Sequence, residues 1–164
     1  MGPLPVLSSL REAAVDGGMH IHGVDRVMIA TRDIEGTRGR FEELLGIGFS
    51  DLMQPTTDTE HGAQQVENII SPTGIELVAP RGEDNEVTRF IERNGPGLYA
   101  VSVRVDDLDV ATAELAENGV HPVGEYEHDD FREAFLHPSE FGGAMVILAE
   151  YDAPHGAVAA SRGD

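Results

Sequence analysis

The chain has 164 residues, 40% of them apolar, no cysteine, and 30 acidic against 11 basic side chains, for a formal net charge of −19. This length supports one domain, or two half-domains around a shared core. The missing cysteine excludes disulfides, thiolate metal sites and cysteine nucleophiles, no apolar run is long enough to span a membrane, and the acidity repels nucleic acid and anionic lipid.

Every basic side chain is arginine; the chain contains no lysine. An acidic surface stays hydrated in concentrated salt, so the composition fits a halophilic cytoplasm or a GC-rich genome. The expected partner is a small molecule, with no nucleic acid and no membrane.

Residues 1–20 read as an N-terminal extension. The stretch MGPLPVLSSLREAAVDGG lacks a basic start followed by a long apolar run, so a cytoplasmic chain is expected. Leu7, Leu10 and Ala14 suit one short amphipathic helix ended by Gly17 and Gly18. His20 and His22, spaced i, i+2, share one strand face and can meet a metal there, although an incidental contact is the simpler expectation.

A first strand lies within GVDRVMIATRDIE (23–35), where Arg26 shares a face with Met28 and Ala30. An arginine on an apolar strand face is an anomaly that requires a partner. Asp33 then starts a helix whose apolar positions are Phe41, Leu44 and Leu45, with Gly46 suited to its left-handed end. Two further strands, VENII and GIELVAP, are joined at a turn containing Pro72. On the strand before Glu76, Gln64, Gln65 and Asn68 are candidate carbonyl or amide binders, and Gln65 shares a face with Glu67 as the expected pocket pair.

Residues 81–96 supply a linker helix, predicted over 86–93, and a glycine-rich end. The pattern then repeats: Gly23 falls on Gly97, Val27 on Val101, Ile29 on Val103, Asp33 on Asp107, Ile34 on Leu108 and Phe41 on Leu115, each 74 residues on. The second helix carries Leu108, Ala111 and Leu115 and is ended by Gly119. Its two closing strands run through REAFLHPSE and GGAMVILAEY, with Pro138 answering Pro72. The unit is βαβββ used twice, in modules of about 22–80 and 97–151, and the fold class is α+β: eight strands forming a cup, helices outside. The cup walls include Met28, Ala30, Ala100, Ser102, Met145 and Ile147. Tyr99, alternating with Ala100, is expected to point away from the cup. Residues 152–164 read as a flexible tail.

The segments GIELVAP (74–80), FIERNGPGLYAVSVRVDDLDVA (90–111), FLHP (135–138) and GGAMVILAEY (142–151) resemble the vicinal oxygen chelate superfamily, which includes glyoxalase I, bleomycin-resistance proteins and extradiol dioxygenases. Within it the likeness is to methylmalonyl-CoA epimerases and covers residues 22–151. The resemblance implies a divalent metal on four strands, at positions that here hold Arg26, Glu76, Ala100 and Ile147. Of these only Glu76 has a ligating atom, so no metal cofactor is expected; Arg26 is expected to face Glu76 and take the cation's place. Should a metal bind after all, Glu76 would need partners such as His20, His22 or Glu67. By the same resemblance Glu67 is the candidate base, Glu133 is its repeat counterpart, and Arg132 and His137 lie near a phosphate tail, with Arg104 a further candidate for a CoA phosphate.

The implied function is an epimerase or isomerase that moves a proton alpha to a carbonyl, with an acyl-CoA as one possible substrate and a homodimer as the expected assembly. The alternative is a metal-free cup that sequesters a small molecule, as bleomycin-resistance proteins do. A third possibility is a degenerate subunit completed by a second chain.

Overall fold

The computed structural model describes residues 18–152. The helix expected around Leu7, Leu10 and Ala14, and the tail from residue 153 on, lie outside the described residues.

The elements in chain order are β1 (Ile21–Ala30), α1 (Ile34–Leu45), β2 (Thr56–Thr59), β3 (Gly62–Ile70), β4 (Ile75–Pro80), α2 (Glu86–Asn94), β5 (Gly97–Val105), α3 (Leu108–Glu117), β6 (Gly124–His128), β7 (Phe131–Leu136) and β8 (Met145–Glu150). A short 3₁₀ turn, Pro138–Glu140, lies between the last two strands. The two βαβββ units are therefore present, separated by α2. The eight strands close in the order β1-β4-β3-β2-β6-β7-β8-β5. The first strands of the two units run antiparallel at the centre, and each pairs in parallel with the last strand of its own unit. The ring closes on the far side through β2 and β6, by only two pairs, Asp58 with Glu125 and Thr59 with Gly124.

Local chemistry sets the helix boundaries. Asp33 accepts from the Gly36 amide at 2.9 Å and Asp107 from the Val110 amide at 2.9 Å, satisfying N–H groups that have no intrahelical partner. Gly46 ends α1 at φ 65°, a conformation that costs a side-chain-bearing residue more. The third helix ends at Asn118, one residue before Gly119.

Helices α1 and α3 cover separate outer patches of the sheet. Phe41 packs with Ile34, Ile69 and Leu77 on the first unit, and Leu115 with Leu108, Ala134 and Leu148 on the second. The third cluster is inside the ring: Met28, Ala30, Val78, Ala100 and Ile147 meet Val87 and Ile91 of α2. Burying these apolar side chains on both faces of the strands is what makes the sheet curl and hold.

Three register shifts interrupt the central seam, one at His22 near the start of β1 and two that shape the inside of the ring. Val24 pairs with Val103 and Arg26 with Ser102, so Asp25 is an extra residue in β1; Met28 pairs with Ala100 and Ile29 with Leu98, so Tyr99 is extra in β5. Each is a β-bulge, which re-aims the side chains beside it. No helix among the described residues is long and apolar enough to cross a membrane.

Candidate functional site

The inside of the ring encloses a cavity of about 1090 Å³. Its wall is assembled from alternate residues of each strand: Arg26 and Met28 of β1, Gln64, Val66, Asn68 and Ile70 of β3, Glu76 and Val78 of β4, Glu133 and Phe135 of β7, and Met145 of β8. The apolar cluster under α2 forms its floor.

Arg26 is at the centre of the polar part and is only 3% exposed. Its Nε donates to Glu76 Oε2 at 2.6 Å, one terminal nitrogen donates to Asp25 Oδ2 at 2.9 Å, and the other is hydrogen-bonded to Glu133. The three carboxylates are as buried as the guanidinium: Asp25 at 4%, Glu76 at 3% and Glu133 at 6%. Asn68 Nδ2 donates to the second Glu76 oxygen at 2.7 Å, and Tyr151 donates its hydroxyl to Asp25. The Phe131 ring lies under the guanidinium, 5.4 Å from its carbon. The anomaly of an arginine on an apolar strand is thereby resolved: it is the counter-charge of three buried acids.

One cation faces three acids, and that imbalance sets the electrostatics. Burial opposes the charge on Arg26, but Glu133, Glu76 and Asp25 outweigh it, so its pKa rises and it stays protonated. Burial pushes the Glu133 carboxyl above the ordinary glutamate range; Arg26 opposes this, and the nearby Glu76 adds to it. A carboxyl buried in this way is disposed to hold a proton closer to neutral pH than an exposed glutamate would.

The metal implied by the resemblance does not fit these residues. Ala100 and Ile147 have no donor atom and lie in the apolar floor, and the remaining position is filled by a guanidinium already bonded to the carboxylates that would otherwise ligate.

The structure distributes the other sequence candidates unevenly. Met28, Glu76, Glu133, Met145 and His137 line the cavity. Ala100, Ser102 and Ile147 are buried in the adjoining wall and floor. Glu67 and Gln65 do share a face, but it is the outer one: Gln65 is exposed, and Glu67, with 35% of its side chain exposed, accepts from Gln54 Nε2 at 3.1 Å and lies 4.0 Å from Arg81. The alternation in β3 places Gln64, Val66 and Asn68 inward instead, while Ile69, on the face of Gln65 and Glu67, is buried because α1 covers that end of the strand. The expected base Glu67 is thus outside the cup. Arg132 points outward too, bonding Asp109 at 2.7 Å, and Arg104 donates to the Tyr151 carbonyl at 2.8 Å and stacks on its ring, so neither lines the cavity. Tyr99 is the reverse correction: its bulge turns it inward against Phe90, where burial raises its pKa to about 12.

Sequence reading missed Asp25, Asn68 as partner of Glu76, and Tyr151. The available signal was the adjacency of Asp25 and Arg26: two charged residues in succession on an apolar strand suit a bulge better than strict alternation.

Known proteins share this architecture. A family model described as Glyoxalase/Bleomycin resistance protein/Dioxygenase superfamily matches residues 25–135. The chain is 29% identical over 131 residues to the mitochondrial methylmalonyl-CoA epimerase of Bos taurus, covering 77% of this chain and 73% of that protein. It is 28% identical over 132 residues to the ethylmalonyl-CoA/methylmalonyl-CoA epimerase of Cereibacter sphaeroides, covering 77% and 96%. Among solved structures, methylmalonyl-CoA epimerase from Mycobacterium tuberculosis aligns with a TM-score of 0.67 at 25% identity, over 85% of this chain and 93% of that one.

The buried cluster makes stability depend on Arg26 and on pH. Replacing Arg26 by Met leaves the buried acids without their counter-charge, and urea unfolding at neutral pH should register a loss of about 3–5 kcal/mol. Glu133 has its pKa raised on folding above the ordinary 4.5. Its contribution is therefore fully present below that value and is lost as pH rises through the folded value. The stability of Glu133→Gln relative to the parent should accordingly improve as pH is raised from 4.5 to 8; unfolding midpoints with parallel pH profiles would contradict this.

Proposed function

The chain belongs to the glyoxalase, bleomycin resistance protein and dioxygenase superfamily, and on that premise we propose that it is an epimerase-type enzyme that moves a proton alpha to a carbonyl, with no metal in the cup. The observation that carries this reading is Arg26 held between Glu76 and Glu133 in the cavity wall. Three of the five guanidinium N–H groups are engaged by carboxylates, which leaves two for a substrate oxygen.

Epimerisation needs a base to remove the alpha proton, a positive group to receive the electron pair on the carbonyl oxygen, and an acid to return a proton to the opposite face. In this reading Glu76 takes the proton and Arg26 stabilises the enolate oxygen. Glu133, whose pKa burial raises above that of an ordinary glutamate, returns a proton to the other face; the bond broken and the bond formed are both C–H, and nothing is oxidised. Asn68 fixes the Glu76 carboxylate through its amide nitrogen, while its Oδ1 is buried without a partner among the described residues. The names of the relatives support a short-chain malonyl thioester as substrate, and the apolar wall of Met28, Val66, Val78, Phe135 and Met145 suits its alkyl group.

One observation favours the alternative, a binding cup without turnover. The wall carries Glu60, Glu86, Glu127, Asp129 and Asp130 at its solvent side, against Arg89 and Arg93, a balance that attracts a cation more than a polyanion. Alpha-proton exchange separates the two. Methylmalonyl-CoA incubated with the protein in deuterated water should take up alpha deuterium. Glu76→Gln and Glu133→Gln should each slow exchange by about 10²-fold or more, and Glu67→Gln should leave it unchanged. Ligand binding with no exchange in any malonyl thioester would leave the binding cup as the reading.

The assembly inferred is a homodimer. Between the patches covered by α1 and α3, the outer face of the central seam carries Val24 at 66% and Leu98 at 72% exposure, flanked by half-buried Val27 and Val101. A second copy would remove that stripe from water. Light scattering on the eluting protein should give twice the chain mass, falling to the single mass in a Val24→Asp/Leu98→Lys variant.

A further inference from the structure

A second group of ligating side chains lies outside the cavity. His20 and His22 flank the start of β1, and Asp106 comes directly after the end of β5. The carboxylate faces both rings: Asp106 Oδ2 is 3.0 Å from His20 Nδ1, and its Oδ1 is hydrogen-bonded to His22 Nε2. The two rings meet edge to face with centroids 4.7 Å apart. One donor atom from each of the three residues falls within 4.8 Å of the others.

We propose that His20, His22 and Asp106 form a binding site for a divalent transition metal on the outside of the barrel, separate from the cavity. Donors about 2.1 Å from a common ion lie roughly 3–4 Å apart around it, so the existing separations need only small side-chain rotations. Each ring now turns a nitrogen toward the carboxylate. When that nitrogen's proton moves to the opposite ring nitrogen, its lone pair faces the same point. The set then offers two imidazole nitrogens and one carboxylate oxygen, a donor type suited to zinc, nickel, cobalt or iron(II) rather than to calcium or magnesium. Three protein ligands leave at least one position for water.

The backbone holds these ligands in place without the metal. The register of β1 against β5 slips by one residue at His22, and Asp106 donates its amide to the His20 carbonyl at 3.2 Å, which fixes the turn beside the strand. The net formal charge of −19 adds a long-range attraction for any cation. The ion would tie the entry of the first module to the turn that opens α3 of the second, so its expected effect is on stability rather than on turnover.

The test uses untagged full-length protein stripped with chelator and dialysed, titrated with Zn²⁺ in a calorimeter and heated with and without the ion. One equivalent should bind per chain, with a rise in melting temperature. The His20→Ala/His22→Ala variant should weaken binding at least tenfold and abolish the melting shift. Asp106→Asn, which keeps the backbone hydrogen bond, should weaken it less but measurably. Glu76→Gln should leave the affinity as it is. Absence of saturable binding overturns the proposal, as does binding that survives the double histidine variant. Binding lost in Glu76→Gln instead would place the ion in the cup and overturn it equally. Because proton exchange in the cavity is read in a separate assay, failure here leaves the epimerase reading standing, and failure there leaves this site standing.

Discussion

A single guanidinium organises the interior of this barrel. Arg26 is bonded to Asp25 beside it on β1, to Glu76 on β4 and to Glu133 on β7, so one side chain joins both modules through their acids. An ion in such a place costs several kcal/mol to desolvate, and the cost is offset only because the group is engaged by acids on three sides. The arrangement leaves the centre with more negative than positive charge. Burial, opposed by Arg26 and reinforced by Glu76, holds the pKa of Glu133 above the ordinary glutamate range.

In the proposed reaction the same arginine takes the place that the resemblance gives to a metal. Where Ala100 and Ile147 stand, no ligand exists, and the space belongs to the apolar floor. In the proposed reaction, Arg26 is the fixed positive charge for the enolate oxygen. A guanidinium differs from a metal in having fixed directions and no exchangeable coordination sites.

Much of the architecture was legible in the residues alone. The 74-residue repeat, the aspartate caps at Asp33 and Asp107 and the glycine after the first helix are local signals, and each expresses a local cause. The Arg26–Glu76 pair was legible through the resemblance, which sets both residues around one centre; the residues alone asked only for a partner to Arg26. What could not be read were the two bulges and the choice of face in β3. Period-two alternation tells which residues share a side, not which side is inward, and in β3 both sides carry isoleucine because the cavity takes one and α1 the other. One extra residue at Asp25 and one at Tyr99 then invert the parity of the flanking positions, which hid a buried aspartate and misplaced a tyrosine.

The ring is closed by its shortest contact, the two residue pairs between β2 and β6. One of those pairs sets Asp58 directly opposite Glu125, both facing solvent, and like charges across a ladder weaken it. Repulsion between exposed acids fades as mobile ions crowd around them. Salt therefore relieves a repulsion at the narrowest junction of the ring.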